Sequence, residues 1–575
     1  MRRKAPKGSW LSFADTYAVA TEVLGRPVSL PDRAQLWSAI PIGQALTLIA
    51  SMLKDLDIAE QPAAAVELGW VNQVSSVALR DQLSDAIREE ARLLPPQILL
   101  LAALEAIEHC PSGGPADNFS GLDQILEAIL GIAEASSAPR VGGESWGGLD
   151  SGLASELVAQ HYFGHTIDPI DQLAWVRENW TTPWKRPVVK ESLITRAGGE
   201  PRDLFLEATG VEIDDFAAVG VHLWVQAQQH GFLRYPSEFF DRLGIDRAAV
   251  DRFLAETSTD LKALKAEVAM ERARTGASRW AFHSLRRRPI VQLENGEWLV
   301  LRIGFVIQRA LGDATYWDVR THLRAGDMRT GTKRDEAFRG CLGSALEAHV
   351  GQALLRMFPG TGRSQRVFDE TTMQKAWAGK KGQVPSACDF AVDCGDVWLL
   401  FDVTDRRIPE NLINATADAV ALDAELKTVL TAKKARQFAS TVRHLSTDVS
   451  KLVKGRTASP NMFVCVVVTP TGGLGWNPAV HARAQELLAD MEILQGGKVL
   501  SLAIMSVRDV TELESALESG GSARDLMVGW RANGARFSFE QVLQLQRIPL
   551  QRSRWVQDTA MQFIDAVIER MQGHG

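Results

Sequence analysis

Several classes of protein are excluded by what the 575-residue chain has little of. Its five cysteines are too few and too scattered for a zinc site or a disulfide framework, and they indicate buried thiols in a reducing compartment. The chain has no run of ~18 apolar residues, and the basic residues 1–4 precede no apolar segment. We therefore expect a cytoplasmic protein that has no contact with membranes.

Catalytic motifs with strict spacing are also missing. The sequence contains no phosphate-binding loop, dinucleotide fingerprint, HExxH helix or nucleophile elbow. The net charge of −7 argues against a protein that coats nucleic acid, but it permits a local basic groove. Any chemistry must therefore come from a less regular arrangement of residues.

The predicted fold class is α+β or α/β, with a mostly helical N-terminal half followed by a mixed central sheet flanked by helices. Apolar residues recur every three or four positions at 40–55, 80–94, 97–109 and 122–134, which predicts helices. A Ser- and Gly-rich stretch at 136–152 is the best linker candidate. The predicted units are helical regions at 1–140 and 150–280, a hairpin with connector at 281–330, the sheet domain at 331–510 and a helical tail at 511–575.

A hairpin is predicted at 290–301, where Asn295 and Gly296 separate two apolar runs. Three consecutive arginines, from Arg286 to Arg288, precede it. They are compatible with a contact to phosphate and equally with a solvated run at a domain border.

The strongest chemical signal lies at 385–404, where two β-prone runs flank a turn that contains Asp and Gly. With a two-residue loop at 394–395, Asp389 faces Leu400, and Asp402 lies one diagonal step away on the same face. Such neighbours are roughly 5.5–8 Å apart, close enough for two carboxylates to share a divalent ion.

Asp402 follows a run of almost wholly apolar residues, as expected for a strand that is covered on both faces. An ionised carboxylate in such a strand is costly unless it is paired or bound to a metal. The alternative is that Asp402 caps a turn with Asp405, Arg406 and Arg407.

A third carboxylate, Glu347, is predicted on a helix at 333–358. One stripe of this helix is apolar, and the opposite stripe places small residues around the Glu. Glycine in a helix interior costs about 1 kcal/mol, so its recurrence indicates a face pressed against another element. A Glu on a loosely packed surface is the alternative. The apolar stripe is Phe338, Leu342, Leu346, His349, Ala353 and Met357, and the small stripe is Gly340, Gly343, Ser344, Glu347 and Gly351.

Strands and helices alternate further along the chain. Continuous β-prone runs at 462–469 and 499–507 predict strands, and helices are expected at 411–453, at 478–494 and from residue 510. This alternation predicts parallel pairing, joined to the antiparallel hairpin in one mixed sheet.

The order of a helix Glu, a strand Asp and a strand with Asp-Val-Thr resembles the PD-(D/E)XK, or restriction-endonuclease-like, nuclease superfamily over residues 335–508. The resemblance implies that Asp389, Asp402 and the Val403 carbonyl hold Mg²⁺ or Mn²⁺. Glu347 would then be a further ligand or a base that orients water.

Thr404 stands where the family has its lysine. In the family that lysine can lie on the following helix, which here carries Lys433 and Lys434, and Lys434 lies above Phe438 on the buried stripe. The resemblance therefore implies that one of these two lysines stabilises the charge on the phosphate, with Arg406 as the next candidate.

The resemblance implies a Mg²⁺-dependent endonuclease that acts on DNA or RNA, in bacterial defence against phage. The helical half would be a sensor or regulator, and would bind a protein partner or form a homo-oligomer. Because the family lysine is replaced, the alternative is a catalytically inactive nuclease-fold scaffold that binds nucleic acid or a partner protein.

Overall fold

The structure is a computed structural model, and it describes residues 17–573 with several gaps. Within that span, the residues outside the description are 59–60, 90, 114–120, 138–157, 160–161, 164–168, 177–190, 276–279, 327, 361–365, 380–382, 415, 417–418, 432–433, 471–472, 474–479, 481–483, 485–496, 533–536 and 550–551. Most of the linker candidate at 136–152 and nearly all of the helix predicted at 478–494 therefore lie outside the described residues.

The N-terminal half is helical, and the four helices predicted in its first part are all present. Pro96 occupies the first turn of one of them, where its missing N–H leaves no hydrogen bond unmade. The helices are α1 (Ala20–Val23), α2 (Leu30–Ser38), α3 (Ile42–Ile58), α4 (Ala63–Val71), α5 (Val77–Arg88), α6 (Pro96–His109), α7 (Leu122–Ser137), α8 (Pro169–Val176), α9 (Glu191–Ala197), α10 (Pro201–Thr209), α11 (Ile213–His230), α12 (Arg247–Thr257), α13 (Leu261–Arg274), α14 (His283–Arg287), α15 (Ile303–Leu311) and α16 (Asp313–Ala325).

A small sheet of four strands lies within this half, in the order β1-β4-β3-β2. The predicted hairpin forms its centre, and Gly296 in the turn has a φ of 84°, which glycine adopts without strain. The other two strands are only two and three residues long, too short for a sequence pattern to reveal. The strands are β1 (Arg234–Tyr235), β2 (Ser258–Asp260), β3 (Ile290–Gln292) and β4 (Trp298–Val300).

The three arginines before the hairpin have different surroundings. Arg286 donates to the hydroxyl of Tyr162 at 2.9 Å, and Arg288 donates to the backbone carbonyl of Ala255. Arg287 is exposed. Two of the three therefore make contacts within the chain.

Helix α17 (Met328–Met357) begins five residues before the predicted start and connects the two halves of the chain. Phe338 and Leu342 on its apolar stripe belong to the core that extends into the helical half. Leu346 and Ala353, further along the same stripe, pack against the second sheet.

The second sheet is mixed, as predicted, and its five strands follow the order β5-β6-β7-β8-β9. The first three pair antiparallel, and the last three pair parallel. The predicted strand at 462–469 has the observed bounds, whereas the one at 499–507 is shorter. The strands are β5 (Val367–Asp369), β6 (Phe390–Asp393), β7 (Val397–Val403), β8 (Met462–Thr469) and β9 (Ala503–Ser506).

Both faces of β7 are covered, so every residue of this strand is buried. Trp398 and Leu400 join the core that is shared with the helical half, whereas Leu399 and Phe401 pack with α17. Because side chains alternate along a strand, Asp402 belongs to the face of Trp398 and Leu400.

The single helix predicted at 411–453 is wrong. Thr416 donates its backbone N–H to the Asn411 carbonyl at 2.9 Å, beyond the end of a first short helix, and a π-helical turn at Lys427–Thr431 follows a second. Hydrophobic periodicity does not reveal such local breaks. The helices around the sheet are α18 (Glu370–Trp377), α19 (Glu410–Ile413), α20 (Ala419–Leu426), α21 (Lys434–Leu452), α22 (Val507–Glu518), α23 (Ala523–Ala532), α24 (Phe539–Leu545) and α25 (Arg554–Gly573).

No single helix in the described part of the chain has the length and hydropathy of a membrane span. Helices α2 and α3 reach these values only when taken together, and the pair is bent by 109°.

Candidate functional site

The register of β6 and β7 brings Asp389 directly opposite Asp402. Phe390 pairs with Phe401 in this antiparallel ladder, and one further step joins the two aspartates. The sequence analysis predicted that Asp389 faces Leu400, and this pairing is wrong by two residues. The aspartates are therefore closer neighbours than the sequence predicted.

The register differs because the loop is longer than two residues. Cys394 donates its N–H to the Val397 carbonyl at 3.0 Å, and the Asp393 carboxylate accepts the N–H of Gly395 at 2.8 Å. Gly395 has a φ of 90°, a conformation that favours glycine. A shift of two residues keeps every side chain on its face, so the two aspartates still share one face.

A third carboxylate lies in the same row of the sheet, and the sequence analysis missed it. Asp369 pairs with Phe390 across β5 and β6, which places Glu370 opposite Asp389. The backbone N–H of Glu370 donates to the Asp389 carbonyl at 2.9 Å. In the sequence, this strand end is indicated only by the apolar pair Val367 and Phe368, followed by Asp369, which caps the next helix.

The two facing aspartates are withdrawn from solvent. Asp402 is 0% exposed and Asp389 is 8% exposed. Oδ2 of Asp402 is buried and has no hydrogen-bond partner. A buried carboxylate oxygen without a partner is costly, so this position favours a cation.

A cation of the chain itself lies beside the aspartates. The Lys434 ammonium contacts Oδ1 of Asp402, donates to the Val403 carbonyl at 2.6 Å and lies 3.8 Å from Oδ2 of Asp389. Of the two candidate lysines, Lys434 at the start of α21 is therefore the one that the structure places beside the aspartates. Lys433 lies outside the described residues.

Helix α21 fixes the chain segment that leads into Asp389. Gln437, one turn after the lysine, donates to the Ala387 carbonyl at 2.9 Å, and the Thr441 hydroxyl accepts the N–H of Cys388 at 3.0 Å. All four residues are buried. The same helix thus carries the lysine and positions the aspartate.

Asp389 also ties the two strands together. Its Oδ2 accepts the backbone N–H of Val403 at 2.6 Å. This bond holds the Asp389 carboxylate beside the carbonyl that the Lys434 ammonium contacts, so both aspartates and the carbonyl converge on one point.

Burial lowers the pKa of the Lys434 ammonium, while the carboxylates of Asp389, Glu347 and Glu370 act in the opposite direction. The charge of Lys434 is therefore stabilised both by Asp389 and Glu370 at the sheet and by Glu347 on helix α17. This is the kind of microenvironment in which functional lysines are found.

Glu347 lies on the small-residue face of α17, midway between Gly343 and Gly351. A Cβ at position 351 would lie 2.6 Å from Cζ of Phe390, and one at position 343 would lie 3.8 Å from Cβ of Asp405. The prediction that this face is pressed against another element is confirmed. Glu347 therefore lies on α17 between the position nearest Phe390 and the position nearest Asp405.

Arg406, the next positively charged candidate, and Thr404, which stands at the position of the family lysine, differ in their surroundings. Arg406 makes two hydrogen bonds of 2.7 Å to Glu425, so it is engaged away from the aspartates. Thr404 donates its backbone N–H to Val468 and is half-buried at the end of β7.

A second buried polar cluster follows the aspartates along the chain. The Arg407 guanidinium lies 4.1 Å from the ring centroid of Tyr316 in α16 and 3.5 Å from Oδ1 of Asp405. This cluster joins the loop after β7 to the helical half.

The donor set at the aspartates is chemically suited to Mg²⁺ or Mn²⁺. Two carboxylates and a main-chain carbonyl are hard oxygen ligands, and Lys434 shows that a cation is stable beside them. Across the described residues, no three His, Cys, Asp or Glu side chains form a metal-binding group. The third oxygen beside Lys434 is the carbonyl of Val403.

A scan against protein-family models found no match, and searches of curated proteins and of solved structures found none either.

Proposed function

We propose that the protein is a metal-dependent nuclease that cleaves phosphodiester bonds in DNA or RNA. The observation that carries the proposal is the convergence of Asp389, Asp402, the Val403 carbonyl and the Lys434 ammonium at one end of β7. Hard oxygen ligands beside one amine are groups that suit metal-dependent phosphodiester hydrolysis.

The order of elements supports the same proposal. Helix α17, strands β5 to β7, helix α21 and the parallel strand β8 occur in this order, with short helices between some of them. Glu347, the two aspartates and Lys434 lie on or beside these elements in the same order. This arrangement resembles the PD-(D/E)XK superfamily.

In the proposed site, Asp389, Asp402 and the Val403 carbonyl hold Mg²⁺ or Mn²⁺, with Glu347 as a further ligand or water-orienting base. When bound, the ion supplies a Lewis acid for the phosphate and an activated water. The N–H of Val403 fixes the Asp389 carboxylate, and Lys434 stabilises negative charge on the phosphate.

A basic stripe on α21 supports nucleic acid as the substrate. Arg436 and Arg443 are exposed and lie seven residues apart before the kink at Asp448, so they lie along one side of the helix. Cations in such a line suit the phosphate backbone. The helix that carries Lys434 thus also presents positive charge to solvent.

The helical half is proposed as a sensor or regulator of the nuclease, with a partner protein or a second copy of the chain as its ligand. The Tyr316–Arg407 contact provides a physical connection between this half and the end of β7. A role in defence against phage is the biological setting that the resemblance suggests.

A non-catalytic scaffold that binds nucleic acid or a protein is the second candidate, because Lys434 already neutralises charge at Asp402. The purified full chain should be incubated with plasmid DNA, single-stranded DNA and tRNA, with Mg²⁺, Mn²⁺ or EDTA. Cleavage of at least one substrate with metal, and none with EDTA, is expected. Binding without cleavage of any substrate would favour the scaffold.

A further inference from the structure

The Lys434 ammonium occupies the position that a bound metal ion would need. It contacts Oδ1 of Asp402 and the Val403 carbonyl, and it lies 3.8 Å from Oδ2 of Asp389. Mg²⁺ and Mn²⁺ bind oxygen ligands at about 2.0–2.2 Å, so an ion on these three oxygens would overlap the amine or lie directly against it.

We infer that Lys434 and the divalent ion compete for the same oxygens, so that Lys434 is a built-in competitor of metal binding. The inference rests on the proposed function, since it assigns the metal to Asp389, Asp402 and Val403. Two cations at such short range repel each other strongly in a partly buried site. Each cation therefore has to leave before the other can bind.

The oxygens should stay in place when the amine leaves. Gln437 and Thr441 hold the backbone of Ala387 and Cys388, and none of these bonds involves the lysine side chain. The Lys434 side chain is 16% exposed, so its flexible stem has a route towards solvent. The displaced ammonium then becomes available to a phosphate group.

The test is the affinity of the full chain for Mn²⁺ alone, measured by isothermal titration calorimetry. Lys434→Met removes the competing charge but keeps the length of the side chain. It should bind Mn²⁺ about tenfold more tightly than the wild type, because no amine has to be displaced. Lys451→Met, which removes an exposed charge from the same helix, should leave the affinity unchanged.

Asp402→Asn is the reference for the site, since it should abolish Mn²⁺ binding. Equal or weaker binding by Lys434→Met, with binding still lost in Asp402→Asn, would overturn the competition and leave the proposed metal site standing. Absence of Mn²⁺ binding in the wild type and in both lysine variants would overturn the proposed function as well. If Lys434→Met does not fold, Lys434→Gln takes its place. The rise in Tm that Mn²⁺ causes in this variant is then compared with the rise in the wild type.

Discussion

Gly351 of α17 packs directly against the ring of Phe390, the residue that follows Asp389. A Cβ at position 351 would lie 2.6 Å from Cζ of Phe390 and 2.8 Å from Cε1, which is closer than side chains tolerate. At Gly343, two helical turns earlier, the nearest atom would be 3.8 Å away, an ordinary contact. The helix thus approaches the sheet most closely at the start of β6.

Gly351→Ala should therefore destabilise the protein by about 1–3 kcal/mol, because the buried Phe390 ring has to shift. Gly343→Ala is the matched control, and it should be neutral or stabilising by up to about 1 kcal/mol, since alanine favours a helix. Urea unfolding of both variants measures the difference. Equal stabilities for the two would show that α17 does not pack on β6 as described.

Lys434→Ala should reduce the rate of cleavage about 10²–10³-fold, the effect of removing a charge contact in the transition state. Thr404→Lys in that background should restore part of the rate, because position 404 lies on the same face as Asp402, two residues along. Single-turnover cleavage of a labelled substrate measures both effects. Full activity of Lys434→Ala would exclude Lys434 from the chemistry.

The basic stripe makes a prediction about salt. Replacement of Arg436 and Arg443 by Ala should weaken nucleic-acid binding and reduce the slope of log K against log [salt] by about 1–2, since each phosphate contact releases counterions. Fluorescence anisotropy between low and high KCl measures the slope. An unchanged slope would place the substrate on another surface.

The buried carboxyl of Asp405 should make the stability of the protein depend on pH. Burial raises its pKa to about 7, while Arg339 of α17 and Arg320 of α16 act in the opposite direction. Tyr316 and Arg407 complete its surroundings. Because the carboxyl of the unfolded chain titrates near 3.8, the folded protein binds the proton more tightly, and this contribution to stability is lost as pH rises from about 4 to 7.

Asp405→Asn should lack that loss. The free energy of unfolding of the wild type, relative to the variant, should fall by about 1–3 kcal/mol between pH 4 and pH 8. Chemical denaturation at a series of pH values provides the comparison, which cancels contributions from all other groups. Parallel curves for the two proteins would mean that Asp405 ionises normally.

Much of the sheet could be predicted because its central strands are apolar on both faces. The β-branched run at 462–469 and the apolar run ending at Val403 are typical of strands that are buried on both faces. The common face of Asp389 and Asp402 could be predicted because side chains alternate along a strand. The register error of two residues did not change the face of either side chain.

The contacts that make the site specific could not be predicted. Glu370 joins the row only through the pairing of a three-residue strand, which carries no periodic signal. Lys434 was a candidate by position on its helix, but its place among the metal ligands depends on how α21 packs. The π-helical turn at Lys427–Thr431, shortly before α21, is a local feature that hydrophobic periodicity does not record.

The most direct test of the proposed site is the rate of metal-dependent cleavage by Asp389→Asn. Asn keeps an oxygen to accept the Val403 N–H, so the fold should persist, but it removes the charge that a metal needs. The rate should fall at least about 10²-fold. Asp396→Asn, at the other end of the same hairpin, should retain wild-type activity. Undiminished cleavage by folded Asp389→Asn would contradict the assignment of the site.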